Sequence, residues 1–219
     1  MIFLPPDLEK YIEDHSLKLP SVLDEIERET YWKTPYPQML SGKIQASFLH
    51  FMVKMIRPRR ILEIGTFTGY TAVAMASAMP PQCVLDTVEI HETTASMARN
   101  FFSRTPWKNR IRLHVESASE FLKKAKGPYD FIFLDADKEN YPLYYDLLKP
   151  LLSSDGLWIT DNVLWNGKVL QPRDAASRAI DAFNRKAAED PETEQMILPI
   201  RDGLMLLRKI TDGKHQKEA

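Results

Sequence analysis

Two periodicities divide the chain near residue 57. Up to that point apolar positions recur at helical spacing. Leu8, Tyr11 and Ile12 share one face of residues 7–15, and a second helical piece covers 23–30. Phe48, Leu49, Met52 and Met55 form the apolar stripe of an amphipathic helix over 44–56. Between the last two pieces, W-K-T-P-Y-P at 32–37 excludes a regular helix, because proline lacks an N–H and pushes the residue before it out of the α region. The Met39-Leu40-Ser41-Gly42 run reads as a turn. With no strand pattern in it, the segment 1–57 is expected to form a helical layer and flap on the substrate side of an α/β core.

From Arg60 onward short apolar runs alternate with helical segments. Strands are predicted over 61–64, 83–88, 111–114, 129–134 and 156–160, and helices over 71–79, 91–105, 118–126, 141–148 and 174–189. Two further strand-like runs, 193–198 and 203–209, flank Ile200-Arg201-Asp202 and suit an antiparallel pair at one edge. The pattern predicts a single domain, residues 1–219, of α/β class, built on a seven-stranded, doubly wound sheet with an antiparallel terminal strand. Ligands of such sheets lie beyond the carboxyl ends of the parallel strands. The polar residues at those ends are Glu63 and Gly65, Glu89, Ser117, Asp135 to Lys138, and Asp161-Asn162.

The first of these ends, R-I-L-E-I-G-T-F-T-G-Y at 60–70, reads as a strand, a glycine turn and a helix start. That order brings backbone N–H groups and a helix N-terminus to the sheet edge, and glycine admits positive φ and close approach of a ligand. The glycines are spaced G-x-x-x-G, so neither the dinucleotide fingerprint nor a P-loop is present. A pyrophosphate needs several converging N–H groups, and the turn therefore favours a nucleoside without one. Glu89, ending V-L-D-T-V-E, suits the two hydroxyls of a ribose. A solvated helix cap is its plain alternative, and Asp86 is its rival should the strand end early.

The segment F-I-F-L-D-A-D-K-E-N-Y puts Asp135 at the end of a central strand, with Asp137 and Lys138 just beyond. If the strand that ends in Asp161-Asn162 is its neighbour, Asp135, Asp161 and Asn162 converge as oxygen donors. His15, His50, His91, His114 and His215 all lie elsewhere in the pattern. Such a set selects a hard cation, Mg²⁺ or else Mn²⁺ or Ca²⁺, over zinc, and leaves positions for substrate oxygens. Two aspartate caps that never meet are the alternative. Asp137 is the weaker metal candidate, able to turn away into a helix cap. Lys138 beside a metal would favour a substrate hydroxyl as its anion, or take the proton itself if its pKa were lowered; an exposed lysine opening the next helix is the plain reading. Trp165, Tyr141, Phe67 and Tyr70, with Trp32 and Tyr36 from the flap, suit a planar aromatic substrate, and Trp165 is the specific choice among them.

Composition acts mainly by exclusion. Hydrophobic content of 44% and charged content of 27% are those of an ordinary globular protein. A net charge of -1 gives no overall field for nucleic acid, and R-P-R-R at 57–60 is the one local basic run. The single cysteine, Cys83, precludes an internal disulfide and fits a reducing compartment. M-I-F-L-P-P-D shows no basic segment followed by a long apolar one, so no signal peptide or membrane span is expected and a cytoplasmic location is. Residues 211–219 are expected to fray.

Taken together, G-T-F-T-G-Y, F-L-D-A-D-K-E-N-Y, D-N-V-L-W-N-G-K-V and the late D-G-L resemble the cation-dependent O-methyltransferases. That family includes the plant caffeoyl-CoA O-methyltransferases, their bacterial relatives and, more distantly, catechol O-methyltransferase. The resemblance runs from about residue 39 to 210, with the motifs in the family's order. It implies the class I S-adenosylmethionine-dependent methyltransferase fold. By that resemblance Glu63, Gly65 and Tyr70 would surround the methionine part of the cofactor, Glu89 its ribose and Ala118 its adenine, with Met39 and Asp135 also in contact. Asp135, Asp161 and Asn162 match the divalent-metal ligands. Lys138 matches the lysine that deprotonates the substrate hydroxyl or stabilises the resulting anion. Met39 and Ser41 match the segment that closes over cofactor and substrate, and Met39, Lys138, Asn162 and Trp165 would contact the substrate.

Two positions depart from the family pattern: Gln45-Ala46, where glycine commonly follows, and Val115-Glu116-Ser117, where a glycine often ends the third strand. The substrate-recognition insertions of the plant enzymes have no match, which favours a small catechol-like phenol over caffeoyl-CoA. The resemblance also implies a homodimer. The expected function is metal-dependent transfer of a sulfonium methyl group to one hydroxyl of a vicinal aromatic diol. Two rivals stand beside it. One is a metal-dependent methyltransferase of the same fold acting on a tRNA wobble-uridine hydroxyl, which needs a positive surface for phosphates. The other is a non-catalytic nucleoside-binding domain.

Overall fold

The computed structural model describes residues 4–210. The first three residues, the polar tail expected to fray, and His215 lie outside the described residues. Five strands, β1 (Arg60–Ile64), β2 (Val84–Glu89), β3 (Ile111–Val115), β4 (Tyr129–Leu134) and β5 (Leu152–Thr160), alternate with helices, and β6 (Thr193–Leu198) and β7 (Leu204–Lys209) complete the sheet. The order is β3-β2-β1-β4-β5-β7-β6. β1 to β5 pair in parallel, whereas β7 runs antiparallel to both β5 and β6. The strand order reverses between β1 and β4, so the crevice above that pair is the switch point at which such sheets bind ligands.

Burial on both faces explains the nearly unbroken apolar strands. Ile61, Leu85, Phe131, Phe133 and Ile159 face one layer, formed by α2 (Val22–Lys33), α3 (Gly42–Ile56), α4 (Tyr70–Ala76) and α5 (Glu92–Ser103). Leu62, Ile64, Val88, Ile132, Leu134 and Trp158 face the other, formed by α6 (Ala118–Lys124), α7 (Tyr141–Leu148) and α8 (Ala175–Glu189). The alternation along β1 and β4 is the period of two that a strand imposes. It puts Glu63 on the face that α4 covers. All seven residues of α4 are buried, and Ala72, Ala74 and Ala76 are small enough for it to lie close to its neighbours.

Three local expectations need correction. α2 continues through Trp32 and Lys33, into the run expected to stop it, and ends only at Thr34, which is extended (ψ 146°) before Pro35. α3 buries Gln45, Ala46, Leu49 and Val53; of the expected stripe, Phe48 and Met52 are half-buried and Met55 is exposed. β5 begins at Leu152 rather than at Gly156, because Tyr129 pairs with Leu152 and the register slips before Phe131 meets Leu157. α1 (Pro6–Asp14) precedes these elements. Among the described residues no helix is long and apolar enough to cross a membrane.

Candidate active site

The carboxyl ends of the parallel strands form one row. In sheet order it reads Ser117-Ala118 after β3, Glu89 on β2, Gly65 after β1, Asp135 after β4 and Asp161-Asn162 after β5. At ~4.8 Å between neighbouring strands, the row spans roughly 19 Å. Sequentially distant residues are thereby set side by side by the topology.

On the β1–β2 side the glycine turn is held by its own chain. The Gly65 and Thr66 N–H groups donate to the Val88 carbonyl at 3.0 and 3.1 Å, and the Gly69 N–H to the Thr66 carbonyl at 2.9 Å. The Phe67 N–H, on a residue with φ of 50°, donates to Glu89 Oε2 at 2.7 Å, while the His91 N–H donates to Oε1 at 2.9 Å. The turn was expected to offer such N–H groups to a ligand; these instead set its shape and fix the Glu89 carboxylate. The close approach that glycine permits here is likewise internal. Gly65 has φ of 101°, and a Cβ on it would overlap the backbone carbonyl of Asp135. The turn after β1 is thus pressed against the end of β4.

Glu63 lies on β1, two residues before Gly65. It is fully buried, and its two oxygens accept from Thr71 and Thr87 hydroxyls, each at 2.5 Å. Burial pushes its carboxyl up to about 8, against the pull of the two hydroxyls. Asp86 is no rival to Glu89. It is buried lower on β2, with the His114 ring nitrogen at 3.0 Å and Arg60 and the Tyr129 hydroxyl each donating at 3.3 Å. Burial opposes its charge, yet His114 and Arg60 hold it below the usual carboxylate range. Arg60, the last residue of the basic run, also lies over the Tyr129 ring at 4.1 Å.

On the β4–β5 side lies the acidic corner. Leu134 and Thr160 are paired in register, so the residues that follow them leave adjacent strands together. Lys138 Nζ donates to Asp135 Oδ1 at 2.7 Å and to the Ala136 carbonyl at 2.9 Å, 5.1 Å from the Tyr141 ring centroid. Burial alone would lower the Lys138 pKa, but Asp135 outweighs it and the net shift is upward. In the absence of a cation at this corner, Lys138 is thus ion-paired with Asp135. Asp161 is buried, and its carboxyl is pushed up to about 7 by burial and by the neighbouring charge of Asp135. Asn162 sits at φ of 60° and donates its N–H to Asp161 Oδ1 at 2.6 Å.

Two carboxylates at the ends of adjacent strands, with Asn162 next in the chain after the second, fit a hard divalent cation. Among the described residues no group of three or more His, Cys, Asp or Glu is gathered for a metal, so the candidate set is two carboxylates and one amide. Asp137 is exposed and its side chain caps no backbone N–H: the Tyr144 hydroxyl donates to it at 2.5 Å, and the Asn140 side chain also donates to it.

The aromatic wall is smaller than expected. Tyr141 lies wholly in the core beneath the corner, its hydroxyl donating to the Asp161 carbonyl at 3.0 Å. Tyr70 is buried, its hydroxyl without a hydrogen-bond partner among the described residues, and Trp32 and Tyr36 are 78% and 59% exposed. Trp165 is half-buried, at φ of 45°, packed on the α7–α8 core. Met39 ends a short turn of helix, Pro37–Met39, and is exposed, whereas Ser41 is buried. Ala118 opens α6 behind the cap made by Ser117. The residue that sequence reasoning left without a role is Gln45, whose Nε2 donates to Asp161 Oδ2 at 2.6 Å. Its only signal was its place beside a family motif.

This strand order with its antiparallel terminal hairpin is that of the class I methyltransferases. The chain belongs to an O-methyltransferase family, whose model matches residues 13–210. Caffeoyl-CoA O-methyltransferase 5 of Nicotiana tabacum is 33% identical over 198 residues, covering 84% of this chain and 82% of the relative. Caffeoyl-CoA O-methyltransferase 2 of Populus trichocarpa is 32% identical over 219 residues, covering 93% and 88%. Among solved structures, a Podospora anserina methyltransferase with SAH bound matches with a TM-score of 0.88 at 27% identity, over 96% of this chain and 100% of that one. An O-methyltransferase from Bacillus cereus in complex with SAH gives 0.87 at 26% identity, over 93% and 97%. The family and the fold implied by the sequence motifs are thus borne out.

Proposed function

We propose that this protein transfers the methyl group of S-adenosylmethionine to one hydroxyl of a vicinal aromatic diol, in a reaction that depends on a divalent cation. The observation that carries the reading is the acidic corner, where Asp135 and Asp161-Asn162 leave adjacent strands together with Lys138 hydrogen-bonded to Asp135. The SAH seen in structural neighbours supports the donor. The names of the curated relatives support the acceptor, since a caffeoyl group carries two adjacent ring hydroxyls.

Asp135, Asp161 and Asn162 would hold the cation, which supplies Lewis-acid polarisation of a substrate hydroxyl. Glu89, anchored by the Phe67 and His91 N–H groups, keeps a lone pair on each oxygen for the ribose hydroxyls. Lys138, beside Asp135, would take the proton of the attacking phenol hydroxyl, or as a cation stabilise the oxyanion once that proton has passed to water. Trp165 and Met39 would flank the aromatic ring, and orientation for in-line attack is the main contribution of such a pocket.

The test is methyl transfer to a catechol and to its monophenol analogue, with Mg²⁺ and with a chelator. Transfer to the catechol is expected to disappear with the chelator and in Asp161→Ala, and the monophenol to be a poor substrate throughout. Equal rates on the two phenols would sink the diol reading. Transfer to tRNA in place of the catechol would favour the nucleic-acid rival.

A further inference from the structure

We propose that Gln45 is a positioning residue, which fixes the orientation of Asp161 and joins the N-terminal helices to the donor set. The proposal rests on the cation reading of Asp135, Asp161 and Asn162 above.

Gln45 is fully buried on the inner face of α3, 116 residues before the carboxylate to which it donates. Asp161 is held at three points: Oδ2 by the Gln45 amide at 2.6 Å, Oδ1 by the Asn162 N–H at 2.6 Å, and its carbonyl by the Tyr141 hydroxyl at 3.0 Å. The two side-chain bonds occupy one lone pair on each oxygen, fix the plane of the carboxylate, and leave a further lone pair on each.

The chemistry of the donor matters as much as its position. A lysine or arginine at this place would neutralise Asp161, whereas a neutral amide orients the carboxylate and leaves its charge for a cation. Partners of this kind behind metal ligands set affinity by orientation. Among the described residues the other end of the Gln45 amide, Oε1, is buried and accepts no hydrogen bond, so the side chain is held through its bond to Asp161.

The experiment measures Mn²⁺ binding to the full chain by water-proton relaxation, in wild type, Gln45→Met and Gln45→Asn. Met keeps the length and removes the donor; Asn keeps the amide but is one methylene too short to reach Asp161. Both variants are expected to bind Mn²⁺ roughly 10- to 100-fold more weakly. The affinity for S-adenosylmethionine in the absence of metal is expected to be unchanged. The rise in melting midpoint that Mn²⁺ produces in wild type should shrink in both variants. Unaltered Mn²⁺ affinity in either folded variant overturns the role of Gln45. Midpoints lowered equally with and without Mn²⁺ do the same, because that is the mark of a structural residue. A wild type that binds no Mn²⁺ overturns the cation reading itself, which is a separate result.

Discussion

At the scale of single residues, Glu63 has the most consequential environment outside the acidic corner. Among the described residues its carboxyl accepts from two neutral hydroxyls and no cation, so burial dominates and it titrates near 8 rather than 4.5. An acid whose pKa is raised by folding binds more protons in the folded state. Its stabilising contribution is complete below about 4.5 and is lost as pH rises to about 8. Asp161, pushed up to about 7, adds to the same trend. Protein free of metal and donor is therefore expected to melt at progressively lower temperature from about pH 5 to about pH 8. Glu63→Gln, neutral at every pH, should flatten much of that slope. Thermal melts across the window decide it, and a wild-type midpoint indifferent to pH would contradict the burial argument.

At the scale of elements, the glycine turn is braced from behind by α2. The Thr30 hydroxyl, fully buried, lies 2.8 Å from the Thr68 hydroxyl inside the turn and 2.7 Å from the Ile26 carbonyl. Thr30→Val keeps the shape and leaves the buried Thr68 hydroxyl without this partner, at an expected cost of about 1–3 kcal/mol. For a chain of this size that lowers the melting midpoint by roughly 2–12 °C, and a shift below about 1 °C would show the brace to be inert. Such braces mark the boundary of what a sequence reveals. The strand ends were legible because an apolar run followed by a polar residue is a local pattern, and the rule for parallel sheets then placed Asp135 beside Asp161. Gln45 was not, since its partner lies 116 residues away and the helical stripe had been drawn through Met55. The internal use of the Gly65, Thr66 and Phe67 N–H groups was equally hidden, because it depends on how β2 meets the turn.

At the scale of the molecule, the terminal hairpin links the two segments proposed to meet the substrate. β7 pairs with β5, the strand that leads into Asp161. The turn before β7 grips the loop after Asn162: Val163 donates its N–H to the Gly203 carbonyl at 3.1 Å, Leu164 to the Asp202 carbonyl at 2.9 Å, and Asn166 to Asp202 Oδ1 at 2.6 Å. Asn162, Trp165 and Asn166 all have positive φ, a conformation costly to non-glycine residues that surrounding bonds must impose. From the same turn, Arg201 donates to the Leu40 carbonyl at 2.8 Å, next to Met39. Gly203 has φ of 87°, and a Cβ there would overlap the Leu164 side chain. Gly203→Ala is therefore expected to shift Leu164 and with it Trp165, while Gly65 and Glu89 lie on the other side of the switch point, undisturbed. The diol KM should rise several-fold with S-adenosylmethionine affinity unchanged, read by steady-state kinetics and calorimetry. A parallel loss of both affinities would mean that the hairpin supports the whole sheet edge rather than the substrate side.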